Sequence, residues 1–388
     1  MKKDYYDIII LGTGLKECIL GSLLASLGKK VLHLDRSGQP GGESALLNPL
    51  NIACRSSNVS SSPCGAMGPG HSWKVDLLPK FLMASGLIGF FEKHRFRKFF
   101  TYALKFKEHE PRTYKGVDPW KTVGKDLFQH FDLGQYVPEF AGHALALSRT
   151  NCYLDHPCIE LLKKIQLYIS SLTKNGKSPY LYPRCGIGEL AQAFAQLTSS
   201  QGGVFLMNKP VDDIIIREGR VVGIRSEGHI TSCKQLICDP SYAPDLVHRV
   251  GQVIRAICIL GHPIRNTSGA KSGLVIIPST QAKRKSDIYI FITSSIHNLA
   301  AQGKYIAIVT TTVESKEPEK EIQLALELLE PIEKKFFFVS DLYVPNDLGS
   351  KSQIFITTSY DATVHFENAC NEIKEIYKRM TGSELKLD

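Results

Sequence analysis

The stretch from Tyr6 to Arg36 constrains the fold of this 388-residue chain more than any other part of the sequence. Tyr6 to Leu11 is a short apolar run, as a parallel strand buried on both faces requires. Gly12-Thr13-Gly14 then predicts a tight turn into a helix, and a second strand from Val31 to Leu34 ends at Asp35. This order of elements is that of a dinucleotide-binding βαβ unit.

One position in the turn departs from the phosphate-binding pattern. In G-x-G-x-x-G the third glycine lets the helix pack closely beside the pyrophosphate, and here that position is Glu17. Its carboxylate would repel a phosphate and compete for the same backbone amides. The sequence therefore predicts the fold of a dinucleotide-binding domain and predicts no cofactor.

The composition is that of an ordinary soluble globular protein, with 43% hydrophobic and 22% charged residues. The formal net charge of +9 fits a solvated basic surface better than a nucleic-acid or lipid footprint. The ten cysteines show neither C-x-x-C nor zinc-finger spacing, which predicts reduced thiols. No apolar run approaches the roughly 18 residues of a membrane span, so we expect a cytoplasmic protein.

From about Phe90 to Leu172 the apolar residues repeat at helical spacing, which predicts a helical subdomain. The spacing in its first helix places one set of residues along one side and three cations along another; the cations could bind an anion, but an exposed helix face is the expected role. The first side holds Phe91, Arg95, Phe99 and Leu104. The second side holds Lys93, Arg97 and Lys98. Asp155-His156-Pro157 is predicted to cap a later helix. A glycine- and proline-rich loop from Thr173 to Gly188 then returns the chain to the α/β domain.

Elsewhere, helices are predicted from Val75 to about Ser85 and from about Glu189 to Leu197. A hairpin is predicted with its turn at Glu218-Gly219. Further strands are predicted at Val253–Leu260, Leu274–Ile277, Ile288–Thr293, Tyr305–Thr311, Phe336–Ser340 and Gln353–Thr358, and helices at Pro318–Leu329 and His365–Arg379. We therefore predict an α/β fold with an FAD/NAD(P)-binding-like (Rossmann-type) domain formed by residues 1–88 and 183–388, a second mixed sheet, and a helical subdomain at 89–182.

Catalytic motifs are missing from the sequence. It contains no G-x-S-x-G elbow, H-E-x-x-H, P-loop or EF-hand pattern. The twelve histidines occur singly, so a residue such as His143 is expected to be structural. These absences argue against an enzyme, although an amine oxidase-like flavoenzyme remains an alternative.

With these segments located, the chain resembles the Rab GDP-dissociation inhibitor family over nearly its whole length. The matching stretches include DIIILGTGLKECILG, KKVLHLDR, GGES, RFRKF, GVDP, FDLGQ, GHALAL, GKSPYLYP, GELAQAFA, NKPVDDII, CKQLICDPSY, GQVIRAICIL, AAQGKYIAI and SYDATVHFE. The related Rab escort proteins share the architecture but are typically longer, so the chain is more similar to the inhibitors.

The resemblance implies a regulator with neither catalysis nor flavin. Such inhibitors bind GDP-bound geranylgeranylated Rab GTPases, slow nucleotide release, and extract the GTPase from membranes and return it. The chain would then be a cytoplasmic monomer with transient membrane contact and no nucleic-acid partner. Extraction requires an apolar cavity for the isoprenoid, because each buried CH₂ contributes about 0.8 kcal/mol to membrane anchoring. The helical subdomain is expected to supply that cavity.

The resemblance also implies three sets of site residues. A Rab-binding platform is expected at Gly41, Gly42, Glu43, Glu189 and Gln196. A mobile effector loop is expected to include Lys174, Gly176, Ser178, Tyr180, Tyr182 and Pro183. A prenyl pocket is expected at Phe99, Leu104, Leu145 and Leu162.

The chain also departs from the family pattern. The family has a tyrosine at the position of Pro40 and an arginine at the position of Gln196. Between Ser85 and Phe90, a family stretch of about fifty residues is absent, which is a sizeable part of a typical domain. A degenerate paralogue with weakened Rab binding is therefore a further alternative.

Overall fold

The apolar run at the start of the chain forms the strand β1, Tyr5–Leu11, in the interior of a first sheet. Its two neighbours, β2 (Val31–Leu34) and β8 (His229–Cys238), both run parallel to it, with Ile9 opposite Leu32 in β2. The structure is a computed structural model and describes residues 5–38, 46–47, 75–76, 90–134, 136–175, 182–183, 186–265, 267, 269–364 and 366–386. The predicted βαβ unit is confirmed.

The first sheet has seven strands in the order β5-β2-β1-β8-β7-β6, and β14 also pairs with β8. Its remaining strands are β5 (Val204–Leu206), β6 (Asp213–Arg217), β7 (Arg220–Ser226) and β14 (Ile354–Ile356). The predicted hairpin between β6 and β7 is confirmed. Its turn residues Glu218 and Gly219 have φ angles of 51° and 76°, the left-handed conformations that match the twist of a hairpin.

Three helices pack around the first sheet. The helices α1 (Leu15–Ser26) and α9 (Glu367–Thr381) cover one face, and α6 (Ile187–Ser200) packs against α1. The buried side chains between the sheet, α1 and α9 include Ile8, Ile10, Leu20, Leu24, Ile373 and Ile376. The core between α1 and α6 is formed by Leu15, Cys18, Ile187, Ala191 and Ala195.

A second sheet of five strands has the order β10-β11-β12-β9-β13. These strands are β9 (Val247–Leu260), β10 (Gly273–Ile277), β11 (Ile288–Ser294), β12 (Tyr305–Thr312) and β13 (Lys334–Pro345). The prediction of a mixed sheet was wrong in this detail, because every pairing described in it is antiparallel. Short connections join β10 to β11 and β11 to β12, and such connections favour antiparallel neighbours. The short helices α7 (Pro318–Glu321) and α8 (Gln323–Leu329) follow β12.

The segment predicted to be helical from about Phe90 to Leu172 consists mainly of helices, but residues 106–123 and 146–158 are mostly turns, loops and short 3₁₀ segments. The segment contains α2 (Phe90–Lys105), α3 (Gly124–His130), α4 (Tyr136–Glu139), which continues as a π-helix at Phe140–Leu145, and α5 (Ile159–Asn175). Its buried residues share one core with the face of the second sheet opposite α8, including Ile257, Phe291 and Ile308. Among the helices of the described ranges, none has the length and hydropathy of a transmembrane span.

The predicted grouping of Phe91, Arg95, Phe99 and Leu104 along one side of α2 was wrong at Leu104. The buried residues are Phe99, Tyr102, Ala103 and Phe106, whereas Leu104 is 50% exposed. The spacing explains this, because positions i, i+3, i+4 and i+7 share a helix face and a residue five positions on does not. Arg95 is exposed as well, and its guanidinium lies 3.1 Å from Asp132.

Two predicted boundaries also change. The helix predicted from Val75 is wrong at its start, because Val75–Asp76 form a strand, β4, antiparallel to β3 (Leu46–Leu47). The remainder of that predicted helix lies outside the described residues. The predicted cap before α5 was wrong, because Pro157 forms a β-bridge with Val123 and the helix begins only at Ile159. The division into two structural units stays a prediction.

Candidate functional site

The turn between β1 and α1 is filled by carboxylates. Gly12 has a φ of 99°, and a Cβ built on it would lie 2.6 Å from Oδ2 of Asp239. A Cβ on Gly14 would overlap Oε2 of Glu17. In a dinucleotide-binding turn these glycines let the pyrophosphate approach the backbone. The residues present therefore do not fit the phosphates of a dinucleotide.

Glu17 lies where the sequence predicts it, in the first turn of α1. Its side chain is buried, and its Oε1 accepts a 2.7 Å hydrogen bond from the hydroxyl of Thr357. Burial, together with the nearby charge of Asp239, raises the pKa of Glu17 to about 7. Burial also raises the pKa of Asp239. The two side chains exclude a phosphate by occupying the space against Gly12 and Gly14, whether or not they are charged.

The preceding residue, Lys16, is buried on the other side of the same turn. Its Nζ lies 2.6 Å from Oε2 of Glu372, donates a 2.7 Å hydrogen bond to the carbonyl of Thr358, and lies 4.3 Å from the ring centre of Tyr360. Lys16 and Glu17 therefore hold the segment after β14 and the helix α9 against α1. No local pattern in the sequence indicates these long-range contacts.

Asp35, at the end of β2, is used inside the protein. Its carboxylate accepts hydrogen bonds from the hydroxyl of Thr13 at 2.5 Å and from the backbone N–H of Ser37 at 2.7 Å. An acid at this position binds the ribose in dinucleotide-binding domains. In this chain the same group instead stabilises the loop that follows β2.

Two of the five residues expected to form a Rab-binding platform, Glu189 and Gln196, lie on α6. Glu189 and Gln196 are both exposed on this helix, two turns and about 10 Å apart along its axis. The opposite side of α6 is fixed by its core with α1. The strand β3, which follows shortly after Gly41, Gly42 and Glu43, contacts α6. These three residues themselves lie outside the described residues, and the role of the platform stays a prediction.

The predicted effector loop is only partly described. Lys174 lies in the last turn of α5, so the helix extends beyond the predicted start of the loop at Thr173. Tyr182 and Pro183 are half-buried, and the ring of Tyr182 lies 5.1 Å from Phe291 and 5.4 Å from His297. Tyr182 is therefore fixed against the second sheet. Gly176, Ser178 and Tyr180 lie outside the described residues.

The residues predicted for a prenyl pocket do not all come together. Phe99, Leu145 and Leu162 are buried in the same core, where they pack against neighbouring side chains. Leu104 lies outside this core, on the exposed side of α2.

A cleft of about 650 Å³ lies beside that core. Its apolar lining is formed by Phe128, Leu133, Pro138 and Leu154, and Phe128 belongs to the core as well. Its volume is within the range of small-molecule sites. The sequence analysis missed this cleft, because its lining residues come from separate helices and loops.

His143 is structural, as predicted. Its Nδ1 lies 2.7 Å from Oδ2 of Asp287 and its Nε2 lies 2.8 Å from Oδ1 of Asn151, so both ring nitrogens have partners. This links the π-helix to the second sheet. Within the part of the chain that the structure describes, no cluster of histidine, cysteine and acidic side chains could hold a metal ion.

Comparison with known proteins identifies the family. The sequence model of the GDP dissociation inhibitor family matches residues 1–88 and 84–388. Rab GDP dissociation inhibitor beta of Rattus norvegicus is 53% identical over 430 aligned positions, which cover 99% of this chain and 97% of the relative. The two matched segments overlap at residues 84–88. This is the region, between Ser85 and Phe90, where the resemblance implies that a family stretch of about fifty residues is absent.

Solved structures agree with this result. The crystal structure of Rab GDI from Plasmodium falciparum has a TM-score of 0.94 and 37% sequence identity, with all of both chains covered. An oxidoreductase from Methanosarcina mazei, with a TM-score of 0.52 and 14% identity over 96% of this chain and all of that one, shares the fold alone. The chain therefore belongs to the GDP dissociation inhibitor family.

Proposed function

We propose that this chain binds GDP-bound geranylgeranylated Rab GTPases, slows their release of GDP, and carries them between membranes and the cytoplasm. The observation that carries this proposal is the family match over the whole chain. The filled turn at Gly12 and Gly14 supports it, because a flavoenzyme needs that space for its cofactor. In this proposal the chain is a regulator, and its contacts with the membrane are transient.

The GTPase would bind on the exposed side of α6. Glu189 offers a carboxylate to a basic group of the GTPase, and the core between α1 and α6 holds the helix rigid beneath it. A charge-assisted hydrogen bond of this kind contributes about 1.5–3 kcal/mol. At Gln196 the amide replaces a guanidinium, which weakens the same surface.

The isoprenoid would bind in the helical segment. The cleft beside Phe128 supplies apolar volume, and the closed core containing Phe99 and Leu162 lies next to it. The elements around this cleft are short, since α3 has seven residues and α4 with its π-helical continuation has ten. Short helices carry few internal hydrogen bonds, so they can move apart at low cost.

The experiment uses liposomes loaded with geranylgeranylated Rab–GDP. After incubation with the purified protein and centrifugation, Rab in the supernatant is measured against a rat inhibitor as the positive control. Release of Rab–GDP, with little release of Rab bound to a non-hydrolysable GTP analogue, is the expected result. No release by folded protein would overturn the proposal, and release only at much higher protein concentration would favour the weakened paralogue.

The Glu189→Lys variant tests the platform in the same assay. Circular dichroism and thermal unfolding confirm that each variant is folded, so that lost extraction reports on binding. Glu319→Lys, which reverses the same charge at an exposed position in the first turn of α7, is the matched control. Equal extraction by both variants would contradict the placement of the GTPase on Glu189.

A further inference from the structure

A row of apolar side chains and a row of polar side chains run side by side along the outer face of α2. Each row repeats every four residues, which keeps its members on one side of a helix. The apolar row is Phe96, Phe100 and Leu104, and the polar row is Arg97, Thr101 and Lys105.

The apolar row remains accessible from outside. Leu104 is 50% exposed, and Phe96 and Phe100 are half-buried. A shallow groove of about 350 Å³ lies along the two rows, lined by all of their members except Lys105. The ring of Phe96 lies 5.9 Å from that of Phe140, which fixes one side of the groove to the helical core.

The same face carries cations without acidic partners. The sixteen residues of α2 include five Lys or Arg and a single Glu, and residues 90–175 include fourteen basic and nine acidic residues. This segment therefore holds more than half of the net charge of +9. Within the described residues, Arg97, Lys98 and Lys105 are exposed and have no ion-pair partner, whereas Arg95 is paired with Asp132.

We propose that this face of α2 docks on an anionic membrane surface. Arg97, Lys98 and Lys105 would contact the headgroups, and Leu104 would enter the boundary with the acyl chains. Helices that lie in the membrane interface combine these two features, a basic face and an adjacent apolar row. A neutral bilayer would leave the cations without partners.

This inference deepens the proposed function, because it gives the protein an orientation on the membrane to which it returns its cargo. Its test uses the protein alone and needs no GTPase. Binding is measured by co-sedimentation with phosphatidylserine–phosphatidylcholine vesicles and with pure phosphatidylcholine vesicles. We expect binding to the first kind only, with binding reduced by high salt because exposed charges are screened.

The triple variant Arg97→Gln/Lys98→Gln/Lys105→Gln tests the cations. Each cation near anionic lipid contributes about fivefold to partitioning, so the variant should bind about a hundredfold more weakly. The matched control removes the same charge from exposed lysines elsewhere in the chain. It is Lys271→Gln/Lys316→Gln/Lys351→Gln.

The variant Leu104→Gln tests the apolar row without changing the charge. It should weaken binding several-fold, whereas Leu324→Gln, at a position 43% exposed on α8, should not. All variants are compared with the wild type by circular dichroism and thermal unfolding. These surface substitutions are expected to leave both unchanged.

Several outcomes would overturn the proposal. Equal vesicle binding by the triple variant and its control would show that the cations of α2 do not contact the membrane. Wild-type binding that does not depend on phosphatidylserine would contradict the proposed contact between the cations and anionic headgroups. Loss of Rab–GDP affinity in the α2 variant, with no vesicle binding by the wild type, would assign the face to an acidic protein. Inhibition of GDP release in solution is measured without membranes, so a failed docking face leaves the proposed function testable by itself.

Discussion

The hydroxyl of Thr357 donates a 2.7 Å hydrogen bond to Glu17 and thereby joins the end of the first sheet to the first turn of α1. The contact places a buried carboxylate against Gly14, where the fold offers a phosphate site in other proteins. A crevice that could hold a nucleotide is here part of the protein interior. Its polar groups bind each other at the start of α1, on which α6 packs.

Glu17→Gln should change how stability depends on pH. The pKa of Glu17 is raised from 4.5 to about 7 in the folded protein, so the folded state binds more protons than the unfolded state between these values. The stability of the wild type therefore falls as pH rises through this range, by about 3 kcal/mol for this group.

Chemical denaturation at several pH values checks this prediction. Glu17→Gln should lose much of the decrease between pH 4.5 and 7, because an amide does not titrate. The variant should also be the more stable protein above pH 7. Parallel stability curves for the two proteins would contradict the prediction.

Removing His143 should destabilise the link between the π-helix and the second sheet. Burial disfavours the charged imidazole, but the hydrogen bond and charge of Asp287 outweigh this and raise the pKa of His143. The stabilisation is fully present below the unfolded pKa of about 6.5 and is lost as pH rises through the folded value. His143→Phe leaves Asp287 buried without this partner, at a cost of about 3–5 kcal/mol.

Thermal unfolding below pH 6 measures this loss. Asp287→Asn is the matched comparison, since it keeps a polar partner but removes the charge. The asparagine variant should lose less stability than His143→Phe and should show a weaker pH dependence. Wild-type stability in His143→Phe would exclude a structural role for the pair.

Two residues of α2 should respond very differently to truncation. Phe99→Ala removes a fully buried ring and should cost about 3–5 kcal/mol. Leu104→Ala acts on a half-exposed side chain and should change stability by less than about 0.5 kcal/mol. Urea denaturation measures the free energy of unfolding of both variants. Equal losses would indicate that Leu104 is part of the core of the helical segment.

Gln196→Arg should tighten the binding of prenylated Rab–GDP. A guanidinium at this exposed position can form a bidentate contact with a carboxylate, worth about 1.5–3 kcal/mol, or roughly a tenfold to hundredfold gain in affinity. Titration with a Rab protein carrying a fluorescent GDP analogue measures the change. Gln192→Arg adds the same charge one turn earlier on α6, and an equal gain there would indicate a general charge effect. Pro40→Tyr, combined with Gln196→Arg, should add to the gain.

The first sheet could be predicted closely because its elements are local. The run Tyr6–Leu11, the glycines after it and the apolar residues of α1 follow rules that act within a few residues. The hairpin turn at Glu218-Gly219 is predictable for the same reason. The position of Glu17 also follows from its place in the motif.

Other features depend on distant residues and could not be predicted. Lys16 pairs with Glu372 across 356 positions of the chain, and no local pattern indicates such a contact. Leu104 was predicted on the wrong side of α2, because the prediction grouped it with Phe99. In the structure Phe99 is buried together with Tyr102 and Phe106, and Leu104 is exposed. The cleft beside Phe128 arises from the packing of separate segments.

The pairing of Lys16 with Glu372 also bears on the order of events during synthesis. The side chain of Lys16 is 3% exposed, and the partners of its ammonium group lie on the segment after β14 and on α9. While the ribosome is still making these last residues, the first helix has no counter-charge and must keep its lysine in water. The βαβ unit formed by β1, α1 and β2 therefore completes its folding only after α9 has emerged, although the βαβ unit is made first.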